Sequence, residues 1–247
     1  MKVIYSEYEK EALNELNLWG KKMLQKPSFS SQLTKALQDK LNGLVPEKVH
    51  KVVTAAIKNM IQAVLIGSKF ITKGPLPDQS LLEREKLVQK KSGFYKKAAM
   101  ASGAGTGAGG FFLGLADFPI LLSLKMKFLF DTASIYGYNV KDFKERVYIL
   151  YIFQLAFSSH EKRTEVFEII NNWNSYSKQL PEKVEDFNWR SFQQEYRDYI
   201  DLPKMLQLIP GFGAIVGAYA NFKFIEKLAV TAMNAYRMRL LTSKGNF

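Results

Sequence analysis

In the opening segment Tyr8, Ala12, Leu16, Trp19 and Met23 fall on one stripe at helical spacing, with charged residues between them. That pattern predicts an amphipathic helix. Ser6 followed by Glu9 marks its start as a capping box: the hydroxyl accepts from the third helical amide while the carboxylate reaches back to the cap. Lys21, Lys22 and Lys26 crowd its end, where cations complement the helix dipole. The same punctuation predicts a second helix over about 31–43, stopped by Gly43. A third, largely apolar, runs over 47–70 behind Pro46. Gly74, Pro75 and Pro77 then break the chain.

Ser80 and Glu83 repeat the capping spacing and open a basic helical segment. Asp117-Phe118-Pro119 reads as a helix start, with the aspartate as cap and the proline in the first turn. This predicts one helix ending before Ala116 and another from Phe118 to about Tyr136, closed by Gly137. Asp142 with Glu145 is one more capping pair, opening 143–157. The stretch 161–201 is more polar and predicts helices over 166–176 and 187–199. Asp201-Leu202-Pro203 repeats the Asp-x-Pro start, Pro210-Gly211 interrupts, and a long helix is predicted over 212–241. Strand-like alternation is scarce. The expected fold is all-α: one multi-helix domain over 1–247, with N-terminal helices (1–80), a central segment (81–157), more polar helices (158–202) and a C-terminal helix (203–247).

Two stretches, 98–116 and 205–222, carry no charge. A spanning helix needs about 20 predominantly apolar residues. Both stretches are too rich in Gly, Ala and polar residues to suit one, so shallow insertion or a surface position is expected instead. Gly103 and Gly107, Gly105 and Gly109, and Gly110 and Gly114 are each four apart, as are Gly213, Gly217 and Asn221. Glycine costs about 1 kcal/mol per helical position relative to alanine. Such smooth Gly/Ala faces on the central and C-terminal helices therefore need a compensating role: tight packing in a core, or a face that inserts into lipid.

The chain of 247 residues holds 35 Lys+Arg against 23 Asp+Glu, a formal +12. That excess points to an anionic partner, a phospholipid surface or a nucleic acid. No helix-turn-helix or zinc-finger signature stands out and the basic residues are dispersed, which disfavours nucleic acid. There is no cysteine, so disulfides and thiol chemistry are excluded. The opening residues lack the apolar core of a signal peptide. Gly105–Gly110 spells G-x-G-x-x-G, but no strand is expected before it, so no nucleotide cofactor is inferred. His50 and His160 have no ligand-like neighbours, and neither a metal site nor another cofactor is expected.

Asp117 lies in a long apolar run. Capping is its simpler role; an ion-paired or acid–base role, with Lys125 or Arg146 approaching it, is the alternative. Lys125 and Lys127 interrupt an apolar helix and are candidates to reach a head group, as snorkelling lysines do. Arg237, Arg239 and Lys244 gather at a helix end, where they complement the dipole or meet phosphate.

The segment FLGLADFPILLSLKMKFLFDTASIYGYNVKDFKERVYIL resembles the central signature of the EcsC family. IPGFGAIVGAYANFKFIEKLAVTAMNAYRMRLL is similar to that family's C-terminal helix, and YEKEALNELNLW fits its N-terminal part. The matching positions are Asp117, Pro119, Tyr136, Gly137, Glu145, Arg146, Asn221 and Arg237, with Lys125, Lys127 and Arg239 as candidates to face lipid or partner. The family is named for a bacterial operon that also encodes an ABC-type transporter. The resemblance implies a cytoplasmic accessory or scaffold protein at the inner face of the cell membrane, with an anionic surface and transporter subunits as partners and a link to protein secretion. It supplies no catalytic residues. The competing expectation is a hydrolase-like enzyme acting on lipid or peptide, with Asp117 in a cleft.

Overall fold

The computed structural model describes residues 5–25, 47–66, 72–76, 78–107, 111–182, 184–188, 190–192, 194, 196 and 214–244. Among them the fold is all-α, with no strand. The helices are α1 (Glu7–Leu24), α2 (Glu47–Ile66), α3 (Leu81–Gly107), α4 (Phe111–Ile135), α5 (Phe143–Phe157), α6 (His160–Asn171), the single turn α7 (Trp173–Tyr176) and α8 (Ala214–Lys244). Short 3₁₀ turns follow α7. The expected helix over 31–43, Lys26, Pro46, Pro77, the Asp201–Pro203 start and the Pro210–Gly211 break lie outside the described residues. So do the side chains of His50, His160 and the run 103–116.

The capping chemistry forms as the sequence spells it. Glu9 N donates to Ser6 Oγ at 3.2 Å, and Ser6 N to Glu9 Oε2 at 2.9 Å. At α3 the corresponding distances are 3.3 Å from Glu83 N to Ser80 Oγ and 2.9 Å from Ser80 N to Glu83 Oε2. Gly137 closes α4 with φ at 91°. Tyr138 N bonds Ala133 O and Gly137 N bonds Ser134 O, the paired bonds of a Schellman cap. Arg84 seals the same end, giving Nη1 to Ile135 O at 2.5 Å.

The Asp117–Pro119 start does not form. α4 runs unbroken from Phe111 to Ile135 with Pro119 inside it, so Asp117 is a helical residue and no cap. Pro119, Ile120 and Ser123 lie on the exposed side of the helix. The missing amide therefore falls on the solvent side, while Phe118, Leu121, Leu122, Lys125 and Met126 anchor the opposite face.

α5 is the centre of the molecule. Every residue from Glu145 to Phe157 is buried, as a helix with neighbours all round requires. It packs against α2, α4, α6 and α8. Fully burying one large apolar side chain contributes roughly 1.5–3 kcal/mol, so this helix is a major part of the core. α3 and α8 lie side by side and antiparallel, as the pairs Glu85–Arg237 and Lys96–Glu226 require. α4 runs antiparallel to α3, through Lys91–Asp131 and Arg84–Ile135. The C-terminal end of α3 therefore meets the N-terminal ends of α4 and α8. No described helix is long and apolar enough to cross a membrane.

Candidate functional site

The buried face of α3 carries Leu81, Glu85, Val88, Ser92, Tyr95 and Ala99 at alternating spacings of four and three. Two of these positions are polar. Glu85 is fully buried and is gripped by Arg237 of α8, Nε to Oε1 and Nη2 to Oε2, both at 2.6 Å. Tyr8 and Tyr136 donate to the same carboxylate at 2.5 and 3.2 Å. Arg237 Nη1 reaches Glu15 of α1 at 2.7 Å. Burial pulls the guanidinium pKa down, but the bonds to Glu85 and Glu15 hold it above the ordinary value. Burial, with Glu85 beside it, pushes the Tyr8 phenol up to about 12.

A second pair lies two residues further along α8. Arg239 Nη1 bonds Glu145 Oε2 at 2.7 Å, and Tyr236 donates to Glu145 Oε1 at 2.7 Å. The guanidinium stands 3.8 Å over the Tyr138 ring and 4.4 Å from the Tyr148 ring centre, a cation–π arrangement. Burial pushes the Glu145 carboxyl up, against the pull of Arg239 and Tyr236. Tyr136 and Tyr138 both stack on Tyr236, with centroids 5.1 and 5.2 Å apart.

Asp131 on α4 collects Lys127, Thr72, Lys91 at 3.0 Å and Tyr95 at 2.9 Å. Burial acts to raise its carboxyl, and the hydrogen bonds from Lys127, Thr72 and Lys91 hold it below the usual carboxylate value. Lys125, two residues before Lys127, has no carboxylate partner among the described residues. It is 0% exposed. Its ammonium donates to Asn221 Oδ1 at 3.1 Å and weakly to Leu121 O at 3.4 Å. Burial alone pulls its pKa down to about 7.

An open groove of about 550 Å³ separates α1, α3 and α8. Arg237 and Asn234 form part of its floor, Ala12, Ala229, Val230 and Met233 its apolar walls, and Glu11, Glu15 and Glu226 its acidic rim. Among the described residues no cluster of His, Asp or Glu is arranged to hold a metal ion.

The model of the EcsC protein family matches residues 10–241. The chain belongs to the EcsC protein family. It is 47% identical over 224 residues to Protein EcsC of Bacillus subtilis (strain 168), covering 90% of this chain and 92% of that protein. It is 26% identical over 261 residues to the uncharacterized protein YdbA of the same organism, covering 95% and 93% of the two chains. No solved structure matches.

Four of the eight positions matched to the EcsC signature, Tyr136, Glu145, Asn221 and Arg237, are gathered by the fold into buried pairs rather than displayed. Arg237 holds Glu85, Glu145 holds Arg239, Asn221 holds Lys125, Tyr136 bonds Glu85, and Gly137 shapes the turn between Tyr136 and Tyr138. Arg146 bonds the carbonyls of Val140 and Lys141 at 3.4 and 2.5 Å. Its Nε is buried without a partner among the described residues. Asp117 is half-buried on α4, away from the groove lining. Lys125 and Arg146, its expected partners, bond elsewhere. Of the residues expected to face lipid or partner, Lys125 is wholly interior, Lys127 is tied to Asp131 and Arg239 to Glu145. Asp142 caps α5 through Lys144 N at 2.9 Å, but Glu145 turns inward instead of closing the box. Nothing in the hydrophobic pattern of the chain singles out Asp131 or the groove. The four-three stripe on α3 is the signal that locates Glu85 and Ser92.

Proposed function

We propose that this EcsC-family protein is a peripheral accessory or scaffold protein of an anionic membrane surface, at the inner face of the cell membrane. We assign lipid contact to the end where α3 finishes and α4 and α8 begin. One observation carries the reading. Met100, Ile120 and Tyr219, from those three helices, are exposed, Ile120 at 60% and Tyr219 at 62%. Exposed Lys97 and Lys223 flank them, and Lys223 lies over the Tyr219 ring at 5.9 Å. Apolar side chains ringed by lysines suit the boundary between acyl chains and acidic head groups, and each lysine near such a surface contributes about 1 kcal/mol.

Vesicle flotation of the purified protein tests it. Anionic vesicles should carry the protein up at low salt, neutral vesicles should carry less, and high salt should release much of it. Equal flotation with anionic and neutral vesicles would refute the charge-led reading. An ABC-type transporter subunit in the same membrane is the protein partner that the family resemblance suggests. Its co-purification from solubilised membranes is the corresponding test.

A further inference from the structure

The groove between α1, α3 and α8 runs against the charge of the whole molecule. The chain carries a formal +12, yet Glu11, Glu15 and Glu226 stand around this opening and its two cations are engaged. Arg237 gives Nε and Nη2 to Glu85 and Nη1 to Glu15. Lys96 pairs with Glu226 at 3.4 Å and lies 4.7 Å from the centre of the Phe222 ring. Glu11 is exposed and has no ion pair among the described residues.

A second observation is independent of the carboxylates. Ser92 lines the groove, is only 6% exposed, and its hydroxyl has no hydrogen-bond partner among the described residues. Thr132 and Thr231 on adjoining helices bond back to the carbonyl four residues earlier, at 2.9 Å each. Ser92 does not, so its hydroxyl takes its partner, water or a ligand, from the groove that it lines. Between the polar groups lie Ala12, Ala229, Val230 and Met233.

We infer that this groove binds an alkylammonium group: a flexible aliphatic chain ending in an amine, as in a free polyamine or a lysine side chain. The methylenes lie on the apolar wall, and the ammonium donates to the Glu11 and Glu15 carboxylates and to Ser92 Oγ. A lone anion meets the carboxylates and two cations that are already engaged, Arg237 by Glu85 and Glu15 and Lys96 by Glu226. The volume suits a small ligand or one inserted side chain.

Isothermal titration of the full chain at low ionic strength tests the inference, with spermidine as one probe and a short alanine peptide bearing a single central lysine as the other. Two exposed positions are varied so that folding is spared: Glu11→Gln removes a carboxylate, and Val230→Trp fills the groove. Circular dichroism confirms helix content in both. The expected result is saturable binding of at least one probe, weakened about fivefold by Glu11→Gln, the scale of one exposed ion pair, and abolished by Val230→Trp. Binding of spermidine alone identifies a free polyamine, and binding of the peptide alone identifies a lysine side chain. Absence of binding by both probes, or binding that Val230→Trp leaves intact, overturns the site.

Discussion

Lys125 is a buried cation in a helix interface, without a counter-charge among the described residues. Its folded pKa is depressed to about 7, against an ordinary 10.5, by burial. Between those values the unfolded chain binds more protons than the folded one, so stability rises with pH across that window. Below about pH 7 both states are protonated and the full penalty, on the order of a few kcal/mol, is present. Lys125→Met keeps the volume and removes the charge. The variant should be more stable than the parent at pH 7, by a margin that shrinks steadily towards pH 10; parallel urea-denaturation profiles for the two proteins would show that Lys125 titrates normally. The raised tyrosines cancel in that difference. Removing charge at Glu85 has the opposite effect on stability, because that charge is matched. Glu85→Gln leaves the Arg237 guanidinium with half its grip and should cost about 3–5 kcal/mol, the usual penalty for breaking a buried pair from one side, read as a lower urea midpoint. Glu85 was legible only through its place on the buried stripe of α3. Its neighbours Glu83 and Lys86 make the segment look like an ordinary solvated helix, since composition does not say which member of a charged run turns inward. Asp142 and Glu145 show the same ambiguity: the spacing of a capping box was present, but a tyrosine and an arginine from α8 offered the glutamate better partners than its own cap.

Helix ends are legible in the sequence where local chemistry decides them. Ser6–Glu9 and Ser80–Glu83 satisfy their own backbone amides, so no distant contact is needed to place them. Gly137 is another such case. Its positive φ suits glycine, and a Cβ there would lie 3.0 Å from Arg84 Nη1, displacing the group that seals α4. Gly137→Ala should therefore cost about 1–2 kcal/mol from the left-handed backbone alone, plus the disturbance of Arg84. Gly137→Asn should lose less from the backbone, because asparagine tolerates that conformation. Equal stability of Gly137→Ala and the parent in thermal melts would refute this role. Asp117–Pro119 failed for a physical reason. Asp-x-Pro describes a helix start, but it also describes an outward-facing proline in a helix held from both sides. The anchors are Phe118, Leu121 and Leu122, and they are apolar under either reading. Local punctuation could not separate the two; tertiary packing did.

At the scale of the whole molecule the basic excess was visible in the sequence, but its placement was not. The fold pairs Arg237, Arg239, Lys125 and Lys127 with groups of its own and sets exposed Lys97, and Lys223 in its surface pair with Glu226 at 2.8 Å, beside the exposed Met100, Ile120 and Tyr219. Charge and apolar area at that end make separable demands on a membrane. Lys97→Gln with Lys223→Gln should lower affinity for anionic vesicles at low salt by about 2 kcal/mol, roughly 30-fold, and leave binding to neutral vesicles unchanged. Ile120→Ser with Tyr219→Ser should do the reverse, removing the fraction that survives high salt while the salt-sensitive fraction persists, because burial of apolar surface is not screened by ions. All four positions are exposed, so the fold is spared and loss of binding reports on the surface itself. If both double variants float like the parent, lipid contact lies elsewhere on the molecule. If the lysine pair alone matters, the protein is held by charge without insertion, and the apolar trio at the tip is free to meet a protein already in the membrane.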